Sequence, residues 1–297
     1  MAEGGGMRLD LFRSLWGHGG SWAEAIAELR AAGFDGIEAR VPASLAEARE
    51  RGQLLRDEGV PYIAIVLTGG GVIPDQSAGV AAHLADLRDG LERAAALAPR
   101  FVNVLGGCDR WPAAQQVEFI ARAQEIARAG GASCVFETHR ARILATPWVT
   151  LEVVRQHPDV LFTTDISHWV VVSERLLDDP ADDFGAFVAR VHHIQARVGY
   201  DQGPQVPHPA APEYRRELLF HQDHWERVWR AQRARGMAVT TMTPEFGPDG
   251  YLHRLPFTGT PVADLWDLNA WMGQAERAHF SRFMSACAQD EDDDDRA

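Results

Sequence analysis

The chain has 297 residues, 46% of them hydrophobic and 24% charged, which is ordinary for a globular protein and sufficient for a large core. Its formal net charge of −13 repels phosphate backbones, so nucleic acid is excluded as a partner. No apolar run approaches the length of a membrane span, and residues 1–6 lack the features of a signal peptide, so we expect a cytoplasmic protein that does not bind membranes.

Acidic charge is concentrated at the C-terminus. Every residue from Asp290 to Asp295 is acidic, and only Arg296 opposes them. Such a run predicts a solvated, disordered tail, which we place at residues 287–297. The three cysteines, at positions 108, 134 and 287, match no zinc or redox spacing, which favours free thiols in a reducing compartment.

Short apolar strands alternate with longer amphipathic helices along the chain. In the first unit, Ser21 is the expected N-cap with Glu24 as its capping-box partner, and the helix ends at Gly33. The strands are predicted at Met7–Phe12, Phe34–Val41, Pro61–Leu67, Phe101–Leu105, Cys134–Thr138, Val160–Asp165, Val191–Ala196 and Ala238–Phe246. The helices are predicted at about Trp22–Ala32, Ser44–Glu58, Ser77–Ala98, Pro112–Gly130, Pro147–Gln156, Ala181–Ala189, Glu213–Arg235 and Val262–Ala286.

Eight strand–helix units in strict alternation predict an α/β fold, a parallel sheet closed into a (β/α)8 TIM barrel. An open doubly wound sheet is the alternative. It would normally carry a phosphate-binding fingerprint after the first strand, but Gly17, Gly19 and Gly20 do not have the G-x-G-x-x-G spacing. No linker divides the chain, so we predict a single barrel domain at residues 7–286.

Polar residues end four consecutive predicted strands, the fifth to the eighth. They are Glu137, Asp165, Gln195 and Glu245. Active sites of (β/α)8 barrels lie at the carboxyl ends of the strands. Because side chains alternate along a strand, all four can point into the barrel while bulky neighbours such as Phe136 and Phe162 face the helices.

Three carboxylates that converge on one end of a barrel repel one another unless a cation lies between them. Two glutamates, one aspartate and one amide form an oxygen-rich set that suits a hard or borderline ion. We therefore predict one divalent metal ion at these four residues, Mn²⁺ in the first place and Mg²⁺ or Co²⁺ as alternatives. Two further polar residues are given structural roles. Glu38 is expected to form a salt bridge with Arg40 or a neighbour, with a role as a substrate ligand as the alternative, and Asn103 is expected to be a core amide whose hydrogen bonds are satisfied.

The same strand ends resemble the xylose isomerase-like TIM-barrel superfamily, and the resemblance extends from Leu9 to Trp271. The runs that carry it are Glu137-Thr-His-Arg140, Asp165-Ile-Ser-His168, His193-Ile-Gln195-Ala-Arg197 and Thr243-Pro-Glu245-Phe-Gly. The superfamily includes sugar and sugar-phosphate isomerases and epimerases, hydroxypyruvate isomerase, inosose dehydratase and endonuclease IV. Many members have His-x-His on the seventh strand, with the second histidine as a metal ligand. Gln195 stands at that position here, as in hydroxypyruvate isomerase-like members, and His193 is left as the alternative ligand.

The resemblance implies proton transfer next to a metal-polarised carbonyl, through an enediolate. Glu137 and Glu245 would remove and return the proton, and His168 would contact the substrate oxygen that gains charge. Further substrate contacts are expected from His139, Arg140, Arg197, Trp16 and His18. For Trp16, packing as a lid over the barrel is an equal alternative.

The implied activity is that of a metal-dependent isomerase or epimerase of a small sugar or related hydroxyketone, in carbohydrate metabolism. Removal of the proton next to the carbonyl is also the first step of an elimination reaction. A lyase or dehydratase acting on a keto-sugar, including C-glycoside cleavage, is therefore the alternative. The endonuclease branch is disfavoured, because it needs more histidine ligands and a basic face. A barrel that only binds a ligand is also disfavoured, because it would not need all four metal ligands. The expected partner is a sugar-like small molecule, and a homodimer is left open.

Overall fold

The computed structural model describes residues 6–248 and 250–294, with side chains described through Asp290. The strands in chain order are β1 (Arg8–Ser14), β2 (Gly36–Arg40), β3 (Tyr62–Leu67), β4 (Val102–Leu105), β5 (Cys134–Glu137), β6 (Phe162–Thr164), β7 (Val191–Ala196) and β8 (Val239–Pro244). Each strand pairs in parallel with the next, and β8 pairs with β1, so the sheet closes. The predicted (β/α)8 TIM barrel is confirmed.

Helices follow the strands on the outside of the barrel. They are α1 (Trp22–Ala31), α2 (Leu45–Asp57), α3 (Val80–Ala95), α4 (Ala113–Ala129), α5 (Pro147–Gln156), α6 (Ser167–Ser173), α7 (Gly185–Val188), α8 (Arg215–Ala234) and α9 (Leu265–Asp294). Helix α6 was not predicted, because its run of three valines has low helix propensity and resembles a strand. None of the described helices is both long and apolar enough to cross a membrane.

The helix ends follow the local signals in the sequence. The Ser21 hydroxyl accepts a hydrogen bond from the Glu24 amide (3.2 Å), and the Glu24 carboxylate accepts one from the Ser21 amide (2.7 Å), which completes the predicted capping box. Gly33 and Gly59 follow α1 and α2 with φ values of 74° and 63°. Residues with a side chain rarely adopt this left-handed conformation, so glycine at these positions terminates the helices.

Helix α9 ends later than the sequence predicts. It continues to Asp294, whereas the predicted helix stops at Ala286. Residues 287–294 of the predicted acidic tail therefore belong to this helix, and residues 295–297 lie outside the described residues. The division of the chain into a barrel and a disordered tail stays a prediction.

Side chains on the inner face of the barrel form two layers. Phe12, Ile63, Phe101 and Val135, which precede the polar carboxyl ends of their strands, form a small apolar cluster, here called the lower layer. At the carboxyl ends, the inner face carries Glu38, Glu137, Asp165, Gln195 and Glu245, here called the upper layer. Phe136 and Phe162 face outward and join the main core under the helices, as the alternation predicts. The lower layer therefore closes the barrel beneath a polar pocket.

Candidate active site

A cavity of about 320 Å³, here called the inner chamber, lies at the carboxyl ends of the strands. Glu137, Glu245 and Arg197 line it, together with His139 and Trp16. The volume lies at the small end of the range for sites that bind small molecules, about 300–1,000 Å³. The predicted catalytic carboxyl groups therefore share one pocket.

Glu137, at the end of β5, is held by a residue from the neighbouring strand. Asn103 Nδ2 donates to Glu137 Oε2 (2.6 Å) and lies 3.4 Å from Glu38 Oε1. The predicted satisfied core amide is therefore confirmed for Nδ2 but not for Oδ1, which is buried without a partner among the described residues, and Asn103 also positions a proposed catalytic carboxyl group. The sequence pattern did not indicate that second role, because the contact joins residues 34 positions apart on different strands.

Glu38 does not form the predicted salt bridge with Arg40. It is fully buried at the centre of the upper layer, where His193 Nε2 lies 3.3 Å from Glu38 Oε2 and Gln195 Nε2 lies 3.4 Å from Glu38 Oε1. Arg40 as the partner was wrong, because Glu38 is buried inside the barrel, whereas Arg40, the last residue of β2, is exposed. His193, at ion-pair distance from Glu38, is the neighbouring partner that the prediction left open.

The two candidate metal ligands on β7, His193 and Gln195, differ in whether their possible ligand atoms are already hydrogen-bonded. His193 has both ring nitrogens occupied: Nδ1 lies 2.8 Å from Thr241 Oγ1, and Nε2 lies 3.2 Å from Thr243 Oγ1. Gln195 donates through Nε2 to Glu245 Oε1 (3.1 Å), but its buried Oε1 accepts no hydrogen bond from the described residues. A buried carbonyl oxygen without a donor is a suitable cation ligand, so the geometry favours Gln195 over His193.

Arg197 lies between the acidic groups. Its Nη2 contacts Asp165 Oδ2, lies 3.7 Å from Glu245 Oε2, and is 2.8 Å from His168 Nε2. Since a guanidinium only donates, His168 Nε2 must accept, which leaves the proton on Nδ1. That Nδ1 is buried and has no partner among the described residues. Asp165 is further held by the amide (3.1 Å) and hydroxyl (2.5 Å) of Ser167, which begins α6.

A second possible ligand group adjoins the first. Among the described His, Cys, Asp and Glu side chains, one set has ligand atoms all within 4.8 Å of one another, namely Glu137, His139 and His168. The two imidazole rings lie 3.9 Å apart, and His139 Nδ1 donates to the Arg140 carbonyl (2.5 Å), which frees Nε2. The three carboxylates of the predicted set do not approach one another as closely, and Arg197 lies between two of them.

Burial dominates the acid–base properties of the upper layer. It raises the pKa of Glu137 to about 8, with Asp165 and Glu38 adding repulsion. Burial likewise raises the pKa of Glu245 well above its ordinary value and raises that of Asp165, although Arg197 opposes both shifts. Burial lowers the pKa of His168, and the neighbouring His139 and Arg197 lower it further. A divalent cation would relieve this repulsion, and the residues present therefore fit one.

Some of the predicted substrate-contact residues lie at the inner chamber or beside it, and His18 does not. Trp16 lines the inner chamber, and its ring meets the ring of Tyr251 edge-on at 5.1 Å. The guanidinium of Arg140 lies over the same Tyr251 ring at 5.0 Å. His18 is not brought to the chamber: its Nδ1 lies 3.1 Å from Arg13 Nη2, and its Nε2 lies 3.0 Å from the Ser21 carbonyl. Tyr251 was missed, because no periodicity marks a residue in an irregular loop.

Comparison with known proteins supports the fold. The family model described as xylose isomerase-like TIM barrel matches residues 26–202. No protein with a curated description matches the chain. A xylose isomerase-like TIM barrel protein from Mycobacterium smegmatis, solved in complex with magnesium, has a TM-score of 0.64 at 14% identity and covers 93% of this chain and 97% of its own.

Two further solved structures are similar to this chain. L-ribulose 3-epimerase has a TM-score of 0.61 at 16% identity, covering 96% of this chain and 97% of its own. The probable 3-DHS dehydratase AsbF from Bacillus anthracis has a TM-score of 0.55 at 16% identity, covering 82% of this chain and 95% of its own. At these identities the likeness establishes the fold.

Proposed function

We propose that this chain, which belongs to the xylose isomerase-like TIM-barrel family, is a divalent-metal-dependent isomerase or epimerase of a small keto-sugar or related hydroxyketone. The observation that carries the proposal is the pair Glu137 and Glu245: two buried carboxyl groups with raised pKa values that line one chamber. Such a pair suits proton exchange near neutral pH, because a general base works best when its pKa is near the working pH.

The metal would be held by Glu137, Asp165, Gln195 and Glu245, and Mn²⁺ is the proposed ion, with Mg²⁺ or Co²⁺ as alternatives. The free Oε1 of Gln195 and the crowded carboxyl groups support this assignment. When bound, a divalent ion polarises the carbonyl and hydroxyl oxygens of a substrate. Arg197 contacts Asp165 Oδ2 and lines the chamber, so a bound ion would compete with its guanidinium for that oxygen.

The chain's own residues perform the proton transfer in this scheme. One of Glu137 and Glu245 removes a proton from the carbon next to the carbonyl, and the other returns a proton from its own side. Arg197 then stabilises negative charge on the substrate oxygen, and the N–H at His168 Nδ1 donates to the same oxygen. Trp16 packs on the apolar face of the sugar and His139 contacts its hydroxyl groups, whereas Arg140 lines the neighbouring cavity and contacts the substrate from there.

A dehydratase or lyase is the second candidate function. The buried Nδ1 of His168 has no partner among the described residues, so its N–H can hydrogen-bond a departing hydroxyl group, while a protonated Glu137 or Glu245 supplies the proton with which that group leaves as water. The first step is the same in both reactions. The fold similarity to a probable dehydratase is compatible with this alternative.

The test is solvent exchange in heavy water. Mn²⁺-loaded protein is incubated with a panel of ketoses that includes L-ribulose and D-fructose, and deuterium incorporation is followed by NMR. We expect deuterium at the carbon next to the carbonyl together with an epimer or isomer, and a loss of about 10²- to 10⁴-fold in Glu137→Gln and Glu245→Gln. An unsaturated product would favour the lyase. The absence of exchange in every ketose would contradict both candidates.

A further inference from the structure

A second cavity opens directly above the inner chamber. This outer chamber has a volume of about 600 Å³ and shares the walls formed by Trp16, Arg40, Val72 and His139 with the inner chamber. The proposed proton transfer occupies only the inner chamber, since Glu137 and Glu245 line that cavity and not the outer one. A single small sugar therefore leaves the larger cavity unexplained.

Apolar side chains dominate the walls of the outer chamber. Val72 and Ile73 approach from the loop after β3, Val149 from α5 and Val172 from α6, and the Tyr251 ring forms a further wall. Ile73 is 73% exposed and Val172 is 42% exposed, although both are large and apolar. Exposed apolar side chains gathered around a cavity are typical of a ligand-binding site rather than of ordinary surface.

The wall is held in place by a buried arginine that contacts no carboxylate among the described residues. Arg142 donates to the backbone carbonyl groups of Thr68 (2.6 Å) and Gly107 (3.3 Å) through Nη1, to that of Val72 (3.1 Å) through Nε, and to that of Gly71 through Nη2. These bonds fix the loop that carries Val72 and Ile73 against the ends of β3 and β4. A chamber shaped in advance binds a ligand at lower entropic cost.

The charged groups of the chamber also suit a flat ligand. Arg40 and Arg140 line the cavity, and neither forms an ion pair with any described residue. Planar guanidinium groups stack on aromatic rings, and Arg140 already lies over the ring of Tyr251. The acidic residue in the wall is Asp109, so cationic groups outnumber acidic ones around the cavity.

We propose that the substrate has two parts: a keto-sugar that enters the inner chamber and an aromatic substituent that occupies the outer chamber, as in an aryl glycoside whose sugar ring carries a ketone away from the glycosidic carbon. The proposal rests on the proposed function for the assignment of the inner chamber to the sugar. Aryl binding is nevertheless measurable without turnover, so the two proposals fail separately.

The experiment compares matched ligands. Methyl and phenyl β-glycosides of glucose, galactose and xylose are titrated into the Mn²⁺-loaded full chain by calorimetry, with tryptophan fluorescence as a second readout. In at least one pair we expect the phenyl glycoside to bind about tenfold tighter or more, because burial of an aromatic ring is favourable by at least that factor. Equal affinities within every pair, or no binding of any phenyl glycoside, would overturn the proposal.

Two variants test the location of the aryl group. Val149→Asp places a charge in the wall at the third residue of α5, near a helix N-terminus, where an acidic residue is well tolerated. Val172→Asp changes a half-exposed position, so that loss of folding does not obscure the result. Both should lower phenyl glycoside affinity about tenfold and leave methyl glycoside affinity unchanged. Leu219→Asp, at a 51% exposed position on α8 outside the cavity, is the matched control and should change neither.

Failure of the proposed function has a different signature. If phenyl glycosides bind more tightly and the two wall variants remove the difference, but no ketose exchanges deuterium, the outer chamber is established and the chemistry of the inner chamber must be reassigned. If ketoses exchange deuterium but phenyl and methyl glycosides bind equally, the proposed function stands and the aryl site does not.

Discussion

The lower and upper layers of the barrel interior are built on the same strands but have opposite chemistry. On β5, Val135 belongs to the lower layer and Glu137, two residues later, to the upper layer. Just before β4, Phe101 lies in the lower layer, and Asn103 on that strand supports the upper layer. One face of one strand therefore serves two purposes, with apolar packing at its amino end and acid–base chemistry at its carboxyl end.

The difference has an energetic meaning. Full burial of a large apolar side chain stabilises the fold by about 1.5–3 kcal/mol. Burial of carboxyl groups works in the opposite direction, as the raised pKa values of Glu137 and Glu245 indicate. The lower layer thus stabilises the barrel, whereas the buried carboxyl groups of the upper layer destabilise it. The upper layer is therefore explained by function and not by stability.

The largest expected effect on stability is in the lower layer. Phe101→Ala should lower the free energy of unfolding by about 3–5 kcal/mol, because it removes a buried ring and leaves a cavity. Urea denaturation followed by circular dichroism measures the change. Phe101→Leu is the control and should cost much less. Equal stability of Phe101→Ala and the wild type would mean that the lower layer does not stabilise the fold.

The next largest effect concerns Arg197, whose guanidinium is the cationic group of the upper layer. Arg197→Met should destabilise the metal-free protein by about 3 kcal/mol, since Asp165 and Glu245 lose their buried partner. The same change should increase Mn²⁺ affinity, because Asp165 Oδ2 is released. Arg175→Met, which breaks a half-exposed ion pair with Asp182, is the matched control and should cost less than about 1 kcal/mol. Weaker Mn²⁺ binding in Arg197→Met would contradict competition between the arginine and the metal.

A smaller effect should appear in the pH dependence. The Glu137 pKa is about 8 in the folded chain and 4.5 for the free side chain, so the folded state holds its proton over this range and the unfolded state does not. The stabilising contribution is therefore complete below about pH 4.5 and is lost as the pH rises through about 8. Denaturation of metal-free protein between pH 5 and pH 8 should show falling stability, with a shallower slope in Glu137→Gln. Identical slopes would exclude Glu137 as the titrating group.

The smallest effect lies outside both layers. Ser21→Ala removes the N-cap of α1 and should lower the free energy of unfolding by about 1 kcal/mol. Calorimetric titration should give the same Mn²⁺ affinity as the wild type, since the capping box does not contact the chamber. A change in Mn²⁺ affinity would show that the site depends on the entry to α1, where His18 is also held.

The sequence predicted what short-range rules determine. Alternation within a strand placed Glu137 inward and Phe136 outward, and the Ser21 capping signal located α1. Contacts across the barrel were not predictable, because they depend on how distant strands meet. For Glu38 the sequence therefore suggested Arg40 or an unspecified neighbour as the partner, and it did not identify His193 and Gln195, which Glu38 contacts. The position of Arg197 between Asp165 and Glu245 depends on a long side chain with many rotamers, which no sequence pattern specifies.

The most direct test of the upper layer as a metal centre is a calorimetric titration of Mn²⁺ into stripped wild-type protein, Glu245→Gln and His139→Asn. We predict one site per chain in the wild type, a loss of affinity of about tenfold or more in Glu245→Gln, and little change in His139→Asn. No binding by the wild type would contradict the metal-dependent function. A loss in His139→Asn without one in Glu245→Gln would instead place the ion at Glu137, His139 and His168.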